Sequence, residues 1–323
     1  LAVLRAAPAL LAAGRAATHG APPPCRSDET VAEWLARHGQ RGRLVELLWE
    51  PLALAALNQP IDTAAAPTFV RVLGRVFGGR AGDASLALAT RPLAEIFGEP
   101  AARTLAARGA EVVLHALARV IVEGGRVARV EVRGTPRPTS RVVLAAPWHT
   151  WPRVVAGDTA PLAGLLDAAR RTGASPIVTV SLAFDRQVLD QPVLGFPAQW
   201  VQWAFDTSAL TPGATPGSRV ALVVSGAGEA LRLDEAETMR RARQVFERAS
   251  VAARDARLTG WRVVREPRAT FSLAPGQPAR PTTRTAVAGL YLASDWVDTG
   301  LPATIEGAAE AGHRAADAVL ADL

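Results

Sequence analysis

The sequence contains no lysine, so all 36 of its basic residues are arginines, and with 30 acidic residues they give a formal charge of +6. These arginines are scattered from Arg5 to Arg314 among alanines, prolines and acidic residues. A nucleic-acid-binding protein usually gathers its basic side chains into a patch or stripe. The scatter indicates a compositional bias, and we predict no nucleic-acid partner.

Cysteine is almost absent, since Cys25 is the only one in the chain. A single thiol excludes an intrachain disulfide and a thiolate metal site. We therefore expect no metal centre and a reducing, cytoplasmic location.

Long apolar runs are also missing. A membrane-spanning helix needs about 18 or more consecutive apolar residues, and the most hydrophobic stretch, 44–57, is interrupted by Glu46, Glu50 and Pro51. The opening 1–24 places Arg5 before an Ala/Leu run, as a signal peptide does, but Arg15 breaks the run. We expect a helix and a loop there, in a chain whose true beginning is absent.

The last absence is a glycine-rich turn of the form G-x-G-x-x-G, which brings backbone N–H groups to a dinucleotide pyrophosphate. Gly78-Gly79 and Gly124-Gly125 lack the preceding strand and following helix that such a turn requires. The sequence as given holds no dinucleotide-binding βαβ unit.

The elements that are present alternate between helix and strand. The first hundred residues predict helices, including 29–38, 43–57 with Pro51 in its middle, and 67–77. A β-hairpin is predicted from 118–123 and 126–133, joined at Gly124-Gly125.

A second sheet is predicted further along, built from four strand-like runs and interrupted by an amphipathic helix over 234–252. The runs are 177–184, 199–205, 219–225 and 261–265. Interleaved elements of this kind predict a mixed α/β fold of two intertwined domains. We assign 1–107 and 148–275 to one domain, and 108–147 and 276–323 to the other.

Residues 289–316 are the most informative part of the chain. An apolar strand leads to Asp295, and a loop then leads to a helix predicted to start at Pro302. The free N–H groups of a helix start stabilise negative charge. Small residues along this helix permit a close approach of another group. An ordinary C-terminal strand and helix would give the same pattern, so spacing alone does not decide between the two interpretations.

The run Asp-Trp-Val-Asp-Thr-Gly-Leu-Pro-Ala-Thr-Ile-Glu-Gly-Ala over 295–308 resembles the C-terminal FAD-binding motif of amine oxidases and phytoene desaturases. It is most similar to the version in the hydroxysqualene dehydroxylase family. The resemblance implies the two-domain FAD/NAD(P)-binding fold of amine oxidases. It also implies that the N-terminal Rossmann βαβ segment, about a hundred residues, is missing.

The resemblance also implies cofactor contacts. Asp295 would contact the ribityl and pyrophosphate region of FAD, and the backbones of Ala303, Thr304 and Ile305 would approach the isoalloxazine. Ser294 stands where the family usually has glycine. Val120, in the hairpin, matches a position whose backbone meets the adenine; as a side chain it is an ordinary core valine.

Two further segments resemble the family. Residues 48–60 are similar to its signature in the helical substrate domain, and 266–271 resemble the segment before the last FAD strand. Pro267 replaces a usual lysine in the second segment, which weakens the case for a basic group serving the flavin there.

The implied reaction is the reductive dehydroxylation of hydroxysqualene to squalene, which needs a hydrogen-bond donor at the leaving oxygen and a group that stabilises a cation. Trp49, Glu50 and Asn58 are candidates. Each has a structural alternative, as a core aromatic, a solvated helix charge and a turn former respectively.

An isoprenoid lipid substrate would enter from a bilayer, so peripheral contact with the inner face of the cell membrane follows as a hypothesis, through 1–13 or 44–57.

Two other functions stay open. One is a carotenoid or phytoene desaturase that uses the same FAD motif oxidatively. The other is a non-catalytic remnant without the pyrophosphate cradle.

Overall fold

The computed structural model describes residues 25–77, 80–211 and 217–323. The expected helix over 1–13 and the glycines Gly78 and Gly79 lie outside these ranges. The α-helices of the described part are α1 (Val31–Arg37), α2 (Glu50–Leu57), α3 (Ala66–Phe77), α4 (Glu99–Ala107), α5 (Trp151–Val154), α6 (Ala163–Arg171), α7 (Thr207–Leu210), α8 (Glu235–Ala249), α9 (Val251–Asp255) and α10 (Ile305–Ala321). Wider π-helical turns, Val45–Trp49 and Ala94–Gly98, precede α2 and α4.

The strands fall into three sheets. They are β1 (Ala118–Glu123), β2 (Arg126–Val132), β3 (Thr135–Pro138), β4 (Val142–Leu144), β5 (Val155–Gly157), β6 (Ala174–Phe184), β7 (Val193–Gly195), β8 (Trp203–Asp206), β9 (Ser218–Ser225), β10 (Leu258–Phe271) and β11 (Leu290–Leu292). Mixed helix and strand confirm the predicted fold class.

The predicted hairpin is present as β1 and β2, in a four-stranded sheet of order β3-β2-β1-β5. Gly124 and Gly125 have φ of 55° and 73°. Two consecutive left-handed residues form the type I′ turn that matches the twist of hairpin strands. The glycine pair therefore fixes the position of this turn.

The second predicted sheet is also present, and it is antiparallel with the order β10-β6-β9-β8-β7. One of its faces packs against α8 through Ala242 and Phe246, which are fully buried with Val178, Val180 and Leu222. This sheet and its helices have a hydrophobic core of their own.

The C-terminal strand β11 pairs with β4, in parallel, in a two-stranded sheet, and its Tyr291 also forms an isolated antiparallel bridge with Arg284. Val143 in β4 is 45% exposed. A larger core joins these strands to the helices α1, α2, α3 and α6 and to the β1–β2 hairpin, with Trp34, Trp151 and Trp296 fully buried in it. The division of the chain at 107, 147 and 275 stays a prediction.

Capping side chains decide where helices begin. The first helix begins at Val31 because Thr30 caps it and Glu33 completes a capping box, so the helix starts later than the predicted residue 29.

Within the described ranges, no helix is long and apolar enough to cross a membrane. The same residues contain no group of three or more His, Cys, Asp or Glu side chains placed to hold a metal ion.

Candidate functional site

The loop between β11 and α10 begins with a tight turn at residues 294–297. Ser294 is buried, its hydroxyl accepts a hydrogen bond from the Trp296 N–H at 3.3 Å, and its carbonyl accepts one from the Val297 N–H at 3.1 Å. The hydroxyl that replaces the family's glycine is therefore engaged within the turn, which shapes the backbone on either side of Asp295.

Asp295 is half-buried at this turn. Burial raises the pKa of its carboxyl, while the backbone N–H groups of Trp296 and Asp295 and the charge of Arg280 oppose that rise. In the described part of the chain no side chain donates a hydrogen bond to it. The site thus holds a carboxylate acceptor with unused capacity.

The helix after the loop begins at Ile305, and Thr304 is its N-cap, with the Thr304 hydroxyl accepting from the Gly307 N–H at 3.0 Å. The prediction that Pro302 starts this helix is wrong, because the threonine cap fixes the first turn three residues later. Pro302 and Ala303 belong to the loop.

The N–H groups of residues 303–306 have no acceptor among the residues that the structure describes. They lie at the start of a 17-residue helix, where the peptide dipoles favour negative charge. The Ile305 side chain beside them is 57% exposed. This end of the helix combines polar donors with an uncovered apolar group.

Arg280 holds the loop from the other side, a role that sequence analysis did not identify. Its guanidinium donates to the Leu301 carbonyl and to the Asp298 carboxylate, both at 2.7 Å, and lies 5.3 Å from the centre of the Phe271 ring. The side chain is only 13% exposed, and burial lowers its pKa. Arg280 therefore braces the segment that carries the sequence motif.

A polar cavity of about 210 Å³ lies against this loop, and Arg71, Gln277, Arg280, Trp296 and Asp298 are among its lining residues. The Trp296 indole N–H is buried and has no hydrogen-bond partner among the described residues. Because a buried donor without a partner is costly, this N–H is available to an acceptor on a bound group.

A larger cavity of about 480 Å³ lies between α2 and the five-stranded sheet. Glu50 lines it together with Phe196, Trp200 and Trp203. Glu50 is half-buried and has no ion pair within the described ranges. Trp203 packs on Gly195, where an added Cβ would lie 3.1 Å from its ring. Gly195 therefore lets the indole lie close to strand β7.

Asn58 joins the helices to the sheet. It caps α2 in the left-handed conformation with φ 51°. Its side-chain NH₂ donates to the Ser175 carbonyl and the Thr270 hydroxyl at 3.1 Å, and its side-chain oxygen accepts from the Gly226 N–H at 2.9 Å. These bonds tie together the ends of β6, β10 and β9. Because both its side-chain NH₂ and its side-chain oxygen are engaged, Asn58 holds the end of α2 against these strand ends.

Two other predicted residues lie in the core. Trp49 is 1% exposed, and its indole N–H donates to the Gln40 side chain at 3.0 Å. Val120 is buried in the middle of β1, where Val130 and Val155 pair with it on either side. The cofactor role of Val120 stays a prediction.

The structure thus brings Ser294, Asp295, Ala303, Thr304 and Ile305 together on one loop and helix start. Glu50 lies in a separate cavity lined by aromatic rings. Sequence analysis missed Arg280, Trp203 and Gly195. The arginine's role depends on contacts 18 and 21 residues away along the chain, which no local pattern encodes.

The donors and acceptors at the loop fit FAD. The free N–H groups of residues 303–306 suit the carbonyl-rich edge of an isoalloxazine, and the Asp295 carboxylate can accept from ribityl hydroxyls. The unpartnered Trp296 indole supplies one more donor.

Comparison with known proteins places this geometry among flavoproteins. Residues 25–320 match the family model described as flavin containing amine oxidoreductase. Among solved structures, a triple mutant of putrescine oxidase has a similar fold, with a TM-score of 0.70 at 15% identity over 92% of this chain and 68% of that one.

Three curated relatives are named hydroxysqualene dehydroxylase. The protein from Rhodopseudomonas palustris is 36% identical over 87% of this chain and 63% of its own length, and the one from Sinorhizobium fredii is 33% identical over 87% and 64%. The chain therefore spans somewhat less than two thirds of the length of these relatives.

Proposed function

The chain belongs to the flavin-containing amine oxidoreductase family, and from that premise we propose that it carries the substrate region and part of the FAD site of an isoprenoid-reducing enzyme. The proposed reaction is the reductive dehydroxylation of hydroxysqualene to squalene. The similarity to two hydroxysqualene dehydroxylases at 33% and 36% identity is the observation that carries the proposal.

In this proposal FAD is held by Asp295 and by the backbone N–H groups of residues 303–306, and Arg280 keeps the loop in place. When bound and reduced, FAD supplies the hydride. The overall change would replace the carbon–oxygen bond of hydroxysqualene with a carbon–hydrogen bond and release the oxygen as water, with one proton consumed.

The proposed role of Glu50 rests on the residues that line the large cavity. Glu50 is a half-buried residue that lines the same cavity as several aromatic rings, and a carboxylate together with aromatic faces stabilises positive charge. We therefore assign to Glu50 the stabilisation of charge that develops as the carbon–oxygen bond breaks. Trp49 and Asn58 are not among the residues that line this cavity, and their polar groups are already engaged in hydrogen bonds, so we assign them no direct role in the chemistry.

An isoprenoid substrate is supplied from a bilayer, so the proposal includes peripheral membrane contact. Leu47 and Leu48 are 47% and 39% exposed, and Leu47 also lines the large cavity. Exposed arginines precede them at positions 41 and 43. Apolar side chains flanked by basic ones suit an anionic membrane surface. Absence of binding to anionic vesicles would remove this part of the proposal.

The test is the absorbance spectrum of the purified protein, both as this chain alone and as an upstream-extended version, followed by anaerobic incubation of the reduced, flavin-loaded form with hydroxysqualene. We expect a flavin spectrum and release of squalene from the extended version. Oxidation of phytoene under the opposite conditions would favour the desaturase alternative. A colourless protein that takes up no added FAD would support the non-catalytic alternative.

A further inference from the structure

The face of the five-stranded sheet opposite α8 carries positive charge at one end. Arg219 on β9 and Arg262 on β10 both stand on this face, with strand β6 between them. Both residues are exposed, and both line a cavity of about 300 Å³. This cavity shares no lining residue with the Glu50 cavity or with the polar cavity beside the motif loop. It is therefore a separate candidate site.

The floor between the two arginines is made of small residues. Adjacent strands lie about 4.8 Å apart and rise about 3.3 Å per residue, which places the Cα atoms of Arg219 and Arg262 roughly 12 Å apart, diagonally across β6. Two long side chains that start on opposite sides of β6 can therefore reach one small group above that strand. The small residues are Ser181 and Ala183 on β6, Ala221 on β9 and Gly260 on β10.

The positive charge of this cavity is not balanced locally. None of the described residues that line it is acidic. The Arg262 guanidinium and the Ser181 hydroxyl have no hydrogen-bond or ion-pair partner within the described ranges. The Asp185 carboxylate just beyond β6 already pairs with two other arginines. Glu266, on the same face, lies four positions along β10 from Arg262, about 13 Å away. The cavity thus attracts an anion.

We propose that this cavity binds a phosphate group, held between the guanidinium groups of Arg219 and Arg262 above the Ser181 hydroxyl. Each guanidinium presents paired N–H donors that match phosphate oxygens. A carboxylate has two oxygens, which one arginine can bind by itself, whereas a phosphate has enough oxygens and charge for two arginines and a hydroxyl. The phosphate belongs either to a soluble phosphate ester or to the headgroup of an anionic phospholipid.

This site lies away from the proposed reaction. Phe271, which lines the polar cavity beside the motif loop, is nine positions along β10 from Arg262, or about 30 Å of extended chain. Hydroxysqualene and squalene carry no phosphate. The molecule bound here is therefore not the reactant, and the proposal stands independently of the proposed function.

The test uses the full chain and two variants, Arg219→Gln and Arg262→Gln, which remove a guanidinium and keep a polar side chain. Arg262→Lys keeps the charge but lacks the paired donors. The matched control is Arg248→Gln, at an exposed position on α8 that has no ion pair within the described ranges. Urea unfolding checks that each variant is folded. Calorimetry measures the binding of inorganic phosphate, and co-sedimentation measures binding to phosphatidylglycerol vesicles, with phosphatidylcholine vesicles as the reference.

We expect both glutamine variants to weaken binding of at least one probe tenfold or more, Arg262→Lys to weaken it about threefold, and the control to change it less than twofold. A loss confined to phosphatidylglycerol vesicles identifies a lipid headgroup as the ligand, and a loss of inorganic phosphate binding identifies a soluble phosphate ester. Failure of the parent chain to bind either probe overturns the proposal, as does unchanged binding by folded Arg262→Gln. Equal weakening by Arg248→Gln also overturns it, because diffuse positive charge would then account for the binding.

Discussion

The five-stranded sheet and the two-stranded β4–β11 sheet are stabilised in different ways. The larger sheet buries Val178, Val180 and Leu222 against α8 and forms its own core. The smaller one leaves Val143 45% exposed, and two strands alone are marginally stable. Strand β11 is buried in the larger core, and the loop after it is braced in addition by Arg280. Packing thus stabilises both sheets, and the loop that carries the sequence motif depends in addition on individual polar contacts.

The largest effect is expected from removing the hydrogen bonds that join the five-stranded sheet to α2, a helix of the core that also holds the β4–β11 sheet. Asn58→Ala removes three side-chain hydrogen bonds and strains a left-handed residue, so we expect the free energy of unfolding to fall by about 3 kcal/mol. Denaturant unfolding measures it. Asn58→Gly, which relieves the backbone strain, is expected to recover about 1 kcal/mol. Equal losses of unfolding free energy in the two variants would show that strain in the left-handed backbone does not contribute to the destabilisation by Asn58→Ala.

A matched pair of valine truncations sharpens the contrast in packing. Val180→Ala opens a cavity in a fully buried site and should cost about 2 kcal/mol. Val143→Ala in β4 should cost less than about 0.5 kcal/mol, because the side chain is largely exposed. Thermal or urea unfolding compares the two. A larger loss for Val143→Ala would mean that the small sheet is better packed than described.

Arg280→Gln tests whether polar contacts govern the cofactor motif. The variant removes the ion pair to Asp298 and the bond to the Leu301 carbonyl. We expect FAD affinity to fall about tenfold, equivalent to about 1.4 kcal/mol, and the flavin absorbance maximum to shift. Arg171→Gln, which breaks an exposed helical pair with Asp167, is the control. Unaltered FAD titration of the Arg280 variant would contradict the bracing role.

The smallest effect concerns acid stability in the helical region. Arg37 and the Arg26 N–H hold the pKa of the Glu29 carboxyl below its usual value of 4.5. Because this pKa is depressed in the folded protein, its stabilisation is complete above about pH 5 and disappears as pH falls through the folded value. Glu29→Gln should therefore lose less stability between pH 5 and pH 3 than the parent protein. Parallel acid-unfolding curves of the two proteins would contradict this.

Local patterns predicted the elements whose boundaries are set by local chemistry. The hairpin at Gly124-Gly125 and helix α3 appear where expected, because the glycine pair and the apolar periodicity determine them. Strand β10 runs over 258–271, far beyond the predicted 261–265. Pro267 argues against a continuous strand, but β10 is an edge strand whose pairing shifts register near it, which accommodates the proline.

The candidate site was predictable only in part, because local patterns do not specify contacts between distant segments. The loop residues from Ser294 to Ile305 form one contiguous motif, so the sequence brings them together by itself. The large cavity brings Glu50 together with Gly195 and Trp203, which are cross-strand partners far from it along the chain. Their proximity depends on the Asn58 junction and the strand order, neither of which a local pattern specifies.

The Asn58 junction has a consequence for local unfolding. The Gly226 N–H lies just beyond the end of β9, where an amide would ordinarily exchange rapidly with solvent deuterium, yet it donates to the Asn58 side chain. Exposing that amide requires the helix end and the ends of β6 and β10 to separate together. Gly226 should therefore exchange as slowly as the interior of the sheet, and its protection reports whether the two regions are still joined.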